Sequence, residues 1–478
     1  MRRVLIIAAV VCVVFGVWVW RVAEPFAPEY DATYVGSAQC GQCHTQVYED
    51  WRESSHAKMT RRPTPESVVG DFDDHAWTLP PDAQRSLADT EPAARMYREG
   101  DKYFMALRHP EQPGYVPFEI AWVIGYQYRQ VYLTLEPKGV LRRLPLQWSV
   151  PRQAFFPYWN MQEASTPSVT DFWMQMRSQN SAWNLFCARC HTTNLEILAK
   201  DKDHTAADTR WTEPGIACEA CHGPGSLHLE YFRTNYANRF FGFLDSDVRG
   251  RRAAYIASAP KLSKGTAMSV CARCHGTDIR LSSTDVFREY EPGFSRTGKT
   301  NDLSSHFKEV PLTPNRTTPT VEIYADGQPK GIGMLFRSMI ESKCYEQADV
   351  RCHDCHDAHD NRKPAVEGIL EPSAASDAYC LGCHEGIAAR VDQHNRHEPN
   401  TPGAHCYDCH LPKSIVKIAA GIDDFTRTHE LSSIPRPANT VRFGQHRAPN
   451  ACTGCHADRS PAWADELVRS WSTTSAAR

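Results

Sequence analysis

The chain of 478 residues carries a formal net charge of −3, and 10% of its residues are aromatic and 23% charged, as in ordinary globular proteins. These values exclude a largely disordered chain, and they show none of the excess positive charge that is typical of nucleic-acid binding. The length is enough for roughly three domains. What stands out is the supply of metal-binding side chains, with 18 cysteines and 21 histidines.

The chain opens with an apolar run of 17 uncharged residues, 4–20, which follows two arginines. Such a run predicts a transmembrane helix with a cytoplasmic N-terminus, and with Trp18 and Trp20 at the far interface. A cleaved signal peptide is the alternative, but no small-x-small cleavage site follows the run closely. We therefore predict an uncleaved anchor over residues 1–22, a linker over 23–36, and export of the remaining chain.

The cysteines of an exported chain would ordinarily form disulfides, but their spacing argues against that here. Sixteen of the 18 belong to eight C-x-x-C-H motifs, and neither disulfide frameworks nor zinc sites place a histidine directly after every second cysteine. We number these motifs 1 to 8 in chain order: Cys40, Cys43, His44; Cys187, Cys190, His191; Cys218, Cys221, His222; Cys271, Cys274, His275; Cys352, Cys355, His356; Cys380, Cys383, His384; Cys406, Cys409, His410; and Cys452, Cys455, His456.

This spacing is the attachment pattern of c-type haem. The two thiols add to the two vinyl groups on one edge of the porphyrin, and the following imidazole then reaches the iron as its proximal ligand. The sequence therefore predicts eight covalently bound haem c groups, with the eight motif histidines on the metal. Cys12 and Cys344 lie outside the motifs, and they cannot pair because Cys12 lies in the predicted anchor.

The spacing of the motifs divides the exported chain. Residues 45–186 contain no motif, and within them lie a predicted hairpin around Gly100 and a run rich in β-branched and aromatic residues with a turn at 137–139. We predict a mainly α and irregular multihaem cytochrome fold organised around the haems, with a small β-rich insert and one N-terminal transmembrane helix. The predicted segments are a first haem segment, the insert, a seven-haem domain, and a C-terminal helix with a tail: 37–95, 96–150, 151–460 and 461–478.

Several stretches together resemble the octahaem domain of bacterial multihaem cytochromes of the c-552/c-554-like group, which is often fused to tetratricopeptide repeats. They include YVGSAQCGQCH, WNLFCARCHTTNL, GIACEACHGPGSLH, VRCHDCHDAH, AHCYDCHLPK, SIPRP and PNACTGCHADRSPAWA, with GYQYRQVYLTLE and LRRLPLQW in the insert. The resemblance implies a bacterial origin, covalent haems and periplasmic electron transfer. The chain departs from it in lacking the repeats, in the predicted anchor, and in Cys344, where relatives tend to have methionine.

The distal ligand of each iron decides what a haem can do, because a second histidine suits electron transfer and an open position suits catalysis. Thirteen histidines lie outside the motifs. We predict distal roles for seven of them, and the resemblance supports the first four most: His56, His228, His359, His429, His394, His397 and His405. The offset of His56 from motif 1 points it to a neighbouring haem. Whether His306 and His446 bind iron stays undecided. Cys344 could be a distal ligand, but a buried thiol is the favoured interpretation. No ligand role is expected for four other histidines: His353, His75, His109 and His204.

Three functions remain open. The first is an electron carrier anchored in the bacterial inner membrane, with its haem domain in the periplasm, between a membrane donor and a periplasmic or outer acceptor. The second is an octahaem oxidoreductase acting on a small nitrogen or sulfur compound at one open haem, walled by the aromatic stretch 148–162. The third is a subunit of a haem filament. We favour the electron carrier, and we predict no catalytic residue. The expected partners are redox proteins and not nucleic acid. The sequence leaves homo-oligomerisation open.

Overall fold

The protein is described by a computed structural model. The described residues are 2–22, 32–81, 84, 87–158, 168–234, 255–258, 262–276, 280–281, 307–308, 323–360, 374–399, 401–416, 425–431 and 436–476.

The N-terminal run forms a helix, Arg2–Val22. Within the described ranges, however, no helix is both long and apolar enough to cross a membrane. The uncharged run of 17 residues would measure about 26 Å as a helix, which falls short of a hydrocarbon core of about 30 Å. This finding contradicts the predicted transmembrane helix, and with it the predicted location as a protein anchored in the inner membrane.

The β structure is more extensive than the small insert predicted at 96–150. It runs from residue 60 to residue 157 and forms two antiparallel sheets, one ordered β2-β3-β4-β5 and the other β1-β6-β7-β8-β9. The strands are β1 Thr60–Arg61, β2 His75–Trp77, β3 Ala94–Glu99, β4 Lys102–Arg108, β5 Tyr115–Glu119, β6 Trp122–Ile124, β7 Arg129–Leu135, β8 Leu141–Ser149 and β9 Ala154–Pro157. Strands β1, β2 and β9 lie outside the predicted insert, because such short segments become strands only by pairing with a neighbour.

The two turns expected from the sequence are present. The β3–β4 hairpin pairs Glu99 with Lys102 around Gly100, whose φ of 60° lies in the left-handed region that glycine adopts without strain. Strands β7 and β8 are joined through Gly139, at a φ of 83°. A side chain there would also collide with the Ala207 carbonyl oxygen, so the turn and its close packing both require glycine.

Alternate side chains of a strand point to opposite sides of the sheet, and in the five-stranded sheet both sides carry apolar side chains. One face packs against the other sheet, in a core that includes Tyr132, Leu144 and Trp148. On the opposite face Val131 and Leu133 pack with Trp183, in a cluster that extends to Cys187 of motif 2. The sheet is therefore joined directly to a haem attachment site.

Buried polar side chains fasten this sheet to the segment before motif 2. The Asn184 amide accepts from the Leu141 backbone N–H at 3.0 Å and donates to the Gly139 carbonyl at 3.0 Å. Arg142 is buried and donates to Glu136 at 2.9 Å and to the Ser181 hydroxyl at 3.1 Å. These bonds satisfy groups that would otherwise be costly to bury.

Most of the remaining described chain consists of short helices and two-residue to five-residue strands around the motifs. A helical turn places residues three apart on one face, so it presents both cysteines of a motif to the same side. The helices are Ser37–Gly41, Thr45–Arg52, Val169–Arg177, Trp183–Phe186, Ala188–His191, Cys218–His222, Ser226–Thr234, Lys264–His275, Leu335–Ile340, Lys343–Gln347, Cys352–Cys355, Ala374–Leu381, Glu385–Ala388, Val391–Asn395, Cys406–His410, Pro437–Phe443, Ala451–Cys455 and Pro461–Ala476. The last of these helices covers most of the segment predicted as a C-terminal helix with a tail, 461–478. The paired short strands are Thr192–Thr193 with Glu213–Pro214, Glu196–Lys200 with Ala207–Arg210, Arg280–Leu281 with Phe307–Lys308, and Lys413–Val416 with Phe425–Arg427.

A buried carboxylate in motif 3 binds the backbone of the residues just before motif 1. Glu219 lies between the two cysteines of motif 3 and is fully buried. Its two oxygens accept from the backbone N–H groups of Val35 at 2.9 Å, Gly36 at 2.8 Å and Gly225 at 2.8 Å. Each of these hydrogen bonds to a charged acceptor is stronger than a neutral one.

We expect Glu219→Ala to lower the free energy of unfolding by about 3 kcal/mol, because one buried and two partly buried N–H groups lose their acceptor. Urea unfolding of the haem-loaded protein, followed by circular dichroism, measures this. The matched control is Glu196→Ala, which removes an exposed carboxylate 2.7 Å from Arg210 and should cost well under about 1 kcal/mol. Equal losses in the two variants would show that the Glu219 contacts do not stabilise the fold.

Candidate haem sites

Six of the eight motif histidines face an imidazole from outside the motifs. The distances between ring centres fall in a narrow range: His44–His228 6.3 Å, His275–His56 6.4 Å, His222–His359 6.0 Å, His356–His429 6.1 Å, His410–His394 6.2 Å and His456–His397 6.1 Å. This separation is too wide for ring stacking, which brings carbon atoms to about 3.5–4 Å. Two imidazoles that bind one metal from opposite sides, with bonds of about 2 Å, have their centres roughly 6 Å apart. The pairs therefore fit a bis-histidine iron.

The second ring nitrogen of several paired histidines is bonded to the backbone. The Nδ1 atom lies 3.3 Å from the Ala358 carbonyl in His56, 2.6 Å from the Ala257 carbonyl in His222, and 2.6 Å from the Asn395 carbonyl in His397. A carbonyl can only accept, so Nδ1 carries the proton and Nε2 keeps its lone pair. Such a bond fixes the tautomer and orientation of a metal-binding imidazole.

Burial keeps several of these imidazoles neutral. It lowers the pKa of His275 and of His429 to about 4, and a nearby imidazole adds to the effect in each case, His56 beside His275 and His356 beside His429. Burial also lowers the pKa of His56 and His222, against the opposing effect of their backbone hydrogen bonds. Neutral imidazole is the form that binds a metal, so these side chains are ready to act as ligands at pH 7.

The pairs connect segments that are distant in the sequence. His228 follows motif 3 but faces motif 1, and His56 follows motif 1 but faces motif 4. His359 follows motif 5 and faces motif 3, while His429 follows motif 7 and faces motif 5. In each of these pairs the facing histidine comes from the neighbourhood of a different motif. Iron ligation at these sites would thus cross-link the chain.

Six of the seven predicted distal ligands lie opposite a motif histidine, and the seventh does not. The exception is His405, whose Nδ1 lies 2.7 Å from Asp377 and whose ring stacks on Tyr407. His75 is bound to Asp71 at 2.9 Å and His109 accepts from the backbone, so neither faces a motif histidine. His306 lies outside the described residues. The ligand roles themselves stay predictions.

Two motif histidines face no imidazole among the described residues, His191 of motif 2 and His384 of motif 6. The two differ in their surroundings. His384 is exposed. His191 lies edge-on to Trp183, with ring centres 6.1 Å apart, and burial together with the charge of Arg129 lowers its pKa to about 4. Motif 2 therefore has a half-buried histidine that lies against a tryptophan, unlike the exposed His384 of motif 6.

Contacts between cysteines of different motifs reveal which motifs are neighbours. Thiols of four motif pairs are close enough to hydrogen-bond, before haem attachment converts them to thioethers: Cys40 with Cys218, Cys190 with Cys274, Cys271 with Cys352, and Cys380 with Cys406. Weaker electrostatic contacts link Cys221 to Cys271, Cys355 to Cys380, and Cys409 to Cys452. The motifs thus follow one another in space in the order 1, 3, 4, 5, 6, 7, 8, and motif 2 lies beside motif 4.

Two family profiles match parts of the chain. The profile described as "Cytochrome c554 and c-prime" matches residues 39–71 and 159–223, which include motifs 1 to 3. The profile described as "Doubled CXXCH motif" matches residues 346–389, which include motifs 5 and 6. No curated protein gives a significant match.

Two solved structures are similar to the fold. The outer cell wall cytochrome OcwA is 15% identical over 92% of this chain and 86% of its own, with a TM-score of 0.50. The octahaem sulfite reductase MccA of Wolinella succinogenes is 17% identical over 85% of this chain and 59% of its own, with a TM-score of 0.37. The similarity to OcwA shows a shared fold. The profile matches and the repeated C-x-x-C-H motifs identify the chain as a multihaem c-type cytochrome.

Proposed function

We propose that the chain is an octahaem cytochrome c that carries electrons between two redox proteins. The observation that supports this most strongly is the set of six imidazole pairs with ring centres 6.0–6.4 Å apart. Each bound haem supplies an iron that takes up and releases one electron. A histidine on each side fills the coordination sphere and excludes substrates, which suits electron transfer better than catalysis.

The arrangement of the motifs supports the same function. Cysteines of neighbouring motifs lie close together along the row from motif 1 to motif 8, so the attachment sites are not isolated from one another. Exposed cysteines of the row belong to motif 1 (Cys43), motif 6 (Cys383) and motif 8 (Cys455), and motifs 1 and 8 are its two ends. We place the docking sites of the donor and the acceptor at these two ends.

A second function, an oxidoreductase that acts on a small nitrogen or sulfur compound, has one observation in its favour. His191 is a half-buried motif histidine that faces no imidazole within the described part of the chain. A haem attached at motif 2 would then have a position for a substrate, while the other motifs supply or remove electrons. The two functions are compatible in one chain, because catalysis at motif 2 needs the same row of sites.

We expect eight haems per chain, measured by the pyridine haemochrome assay against quantitative amino-acid analysis. Replacing both cysteines of motif 8, Cys452→Ala with Cys455→Ala, should leave seven, because a haem without its thioethers is lost on denaturation. The control Cys12→Ala should keep all eight, since this cysteine lies outside the motifs. A motif 8 variant with an unchanged haem content after denaturation would contradict covalent attachment at that motif.

We expect His228→Ala to convert the haem of motif 1 from low-spin to high-spin, because the imidazole that faces His44 at 6.3 Å is removed. Electron paramagnetic resonance of the oxidised protein should show the high-spin signal rising by about one haem per chain. His405→Ala is the matched control, since His405 contacts Asp377 rather than a motif histidine. If the two variants give the same spectrum as the parent, His228 is not a ligand.

A further inference from the structure

We propose that the haems of motifs 2 and 4 have the highest reduction potentials of the eight, raised by the arginines at their attachment sites, so that electrons collect there. The proposal rests on the proposed function, because it assumes a haem at every motif and electron transfer along the row. The step is a one-electron exchange, in which a ferrous haem elsewhere in the row is oxidised to the ferric state and the ferric haem of motif 4 or motif 2 is reduced.

The residues between the two cysteines of each motif differ in charge. Motifs 2 and 4 share the sequence CARCH, which places an arginine directly before the second cysteine, Arg189 in one and Arg273 in the other. Three other motifs have a carboxylate between their cysteines, namely Glu219 in motif 3, Asp354 in motif 5 and Asp408 in motif 7. The charge next to the attachment residues is therefore positive at motifs 2 and 4 and negative at motifs 3, 5 and 7.

The two motifs that contain arginine are neighbours in space. Before haem attachment, the Cys190 thiol of motif 2 is close enough to hydrogen-bond with Cys274 of motif 4, and its Sγ lies 3.7 Å from the Arg273 carbonyl oxygen. The contact with Cys274 and burial raise the pKa of the Cys190 thiol, and the charges of Arg189 and Arg273 both oppose that effect. The positive charges of the two motifs thus act on the same boundary.

The five-stranded sheet adds a further arginine to motif 2. Arg143 of β8 is opposite Leu133 of β7, on the face whose apolar cluster extends to Cys187. Arg143 is 6% exposed, and its Nη1 lies 3.9 Å from Cys187 Sγ. Burial raises the pKa of the Cys187 thiol, and the charges of Arg143, Arg189 and Arg129 oppose this rise. Motif 2 therefore lies in the field of several positive charges.

Carboxylates do not balance the charges of Arg143 and Arg273 in the part of the chain that the structure describes. No ion pair there joins either arginine to a carboxylate, and the Nε atom of each has no hydrogen-bond partner. Arg273 donates instead to a neutral group, the Ala220 carbonyl, at 3.4 Å. The adjacent Arg142 differs, because it pairs with Glu136 at 2.9 Å. The interior screens charge less than water does, so an unbalanced arginine acts strongly on a neighbouring site.

Reduction adds one negative charge to a haem, so a nearby positive charge raises its reduction potential and a nearby carboxylate lowers it. The imidazole pair at motif 4, His275 with His56, is like the pairs at five other motifs, so the surrounding charge is what distinguishes this site. Electrons that pass from motif 3 to motif 5 meet the more favourable motif 4 between them. Motif 2 lies beside motif 4 and off the row, so it holds a further electron without interrupting transfer.

The test is a spectroelectrochemical titration of the haem-loaded full chain, in which visible absorbance is recorded against the applied potential. Replacing both cysteines of motif 2, Cys187→Ala with Cys190→Ala, should remove one haem's share of the absorbance change from the high-potential end of the curve. Arg143→Gln and Arg273→Gln should each shift the high-potential end downward and leave the low-potential end in place. Arg143→Lys keeps the charge and should shift the curve less.

The matched control is Arg98→Gln, which removes the charge of an exposed arginine that pairs with Asp73 on the other sheet and should leave the curve unchanged. Asp354→Asn removes the carboxylate of motif 5 but keeps an oxygen for the backbone hydrogen bond that Asp354 accepts, and it should shift part of the curve upward. The proposal is overturned if the motif 2 variant loses its component from any other part of the curve, or if both arginine-to-glutamine variants titrate as the parent does.

Two further measurements separate failure of this proposal from failure of the carrier function. The pyridine haemochrome assay identifies any variant that does not bind its haems, and coulometry counts the electrons taken up by the parent. If the parent exchanges eight electrons reversibly but the motif 2 component lies elsewhere in the curve, the carrier stands and electrons do not collect at motifs 2 and 4. Fewer than eight electrons, or haems that cannot be reoxidised, would contradict the carrier itself.

Discussion

The fold depends on one constraint, the approach of two imidazoles to a separation that one iron can bridge. The constraint is demanding because the facing histidine usually comes from a distant segment, as His56 does for motif 4 and His228 does for motif 1. Hydrogen bonds from Nδ1 to backbone carbonyls hold the rings in orientation. The surrounding helices can then be short, since iron ligation and thioether bonds would hold together what helix packing holds in other proteins.

The β region does not depend on facing imidazoles. Its two sheets bury a core of their own, which includes Tyr132, Met105 and Phe172, and needs no metal to explain it. One face of the five-stranded sheet contacts the segment of motif 2, through Leu133, Trp183 and Cys187. A sheet positions side chains more rigidly than a loop does, so this contact gives motif 2 a fixed set of neighbours.

The two adjacent arginines of β8 have different surroundings. Arg142 and Arg143 are almost equally buried, but only Arg142 is bonded to Glu136 and to backbone and hydroxyl oxygens. Arg142 therefore fastens the sheet to the chain before motif 2. Arg143 contacts Cys187 of motif 2 and lies over the ring of Tyr158. The pleat of the strand produces this difference, because consecutive side chains face opposite ways.

The sequence by itself determined the positions of the eight C-x-x-C-H motifs. It predicted their role in haem attachment and proximal ligation because attachment is local and needs only two thiols and an imidazole within five positions. It also determined the turns at Gly100 and Gly139, which depend on backbone freedom at one residue. Candidate distal histidines were recognisable by type, yet His405 and His394 look alike in the sequence and lie in different surroundings. Only the tertiary structure decided which histidine faces which motif, the order of the motifs in space, and the extent of the sheets. Those features arise from contacts between distant segments, and neither spacing nor composition encodes them.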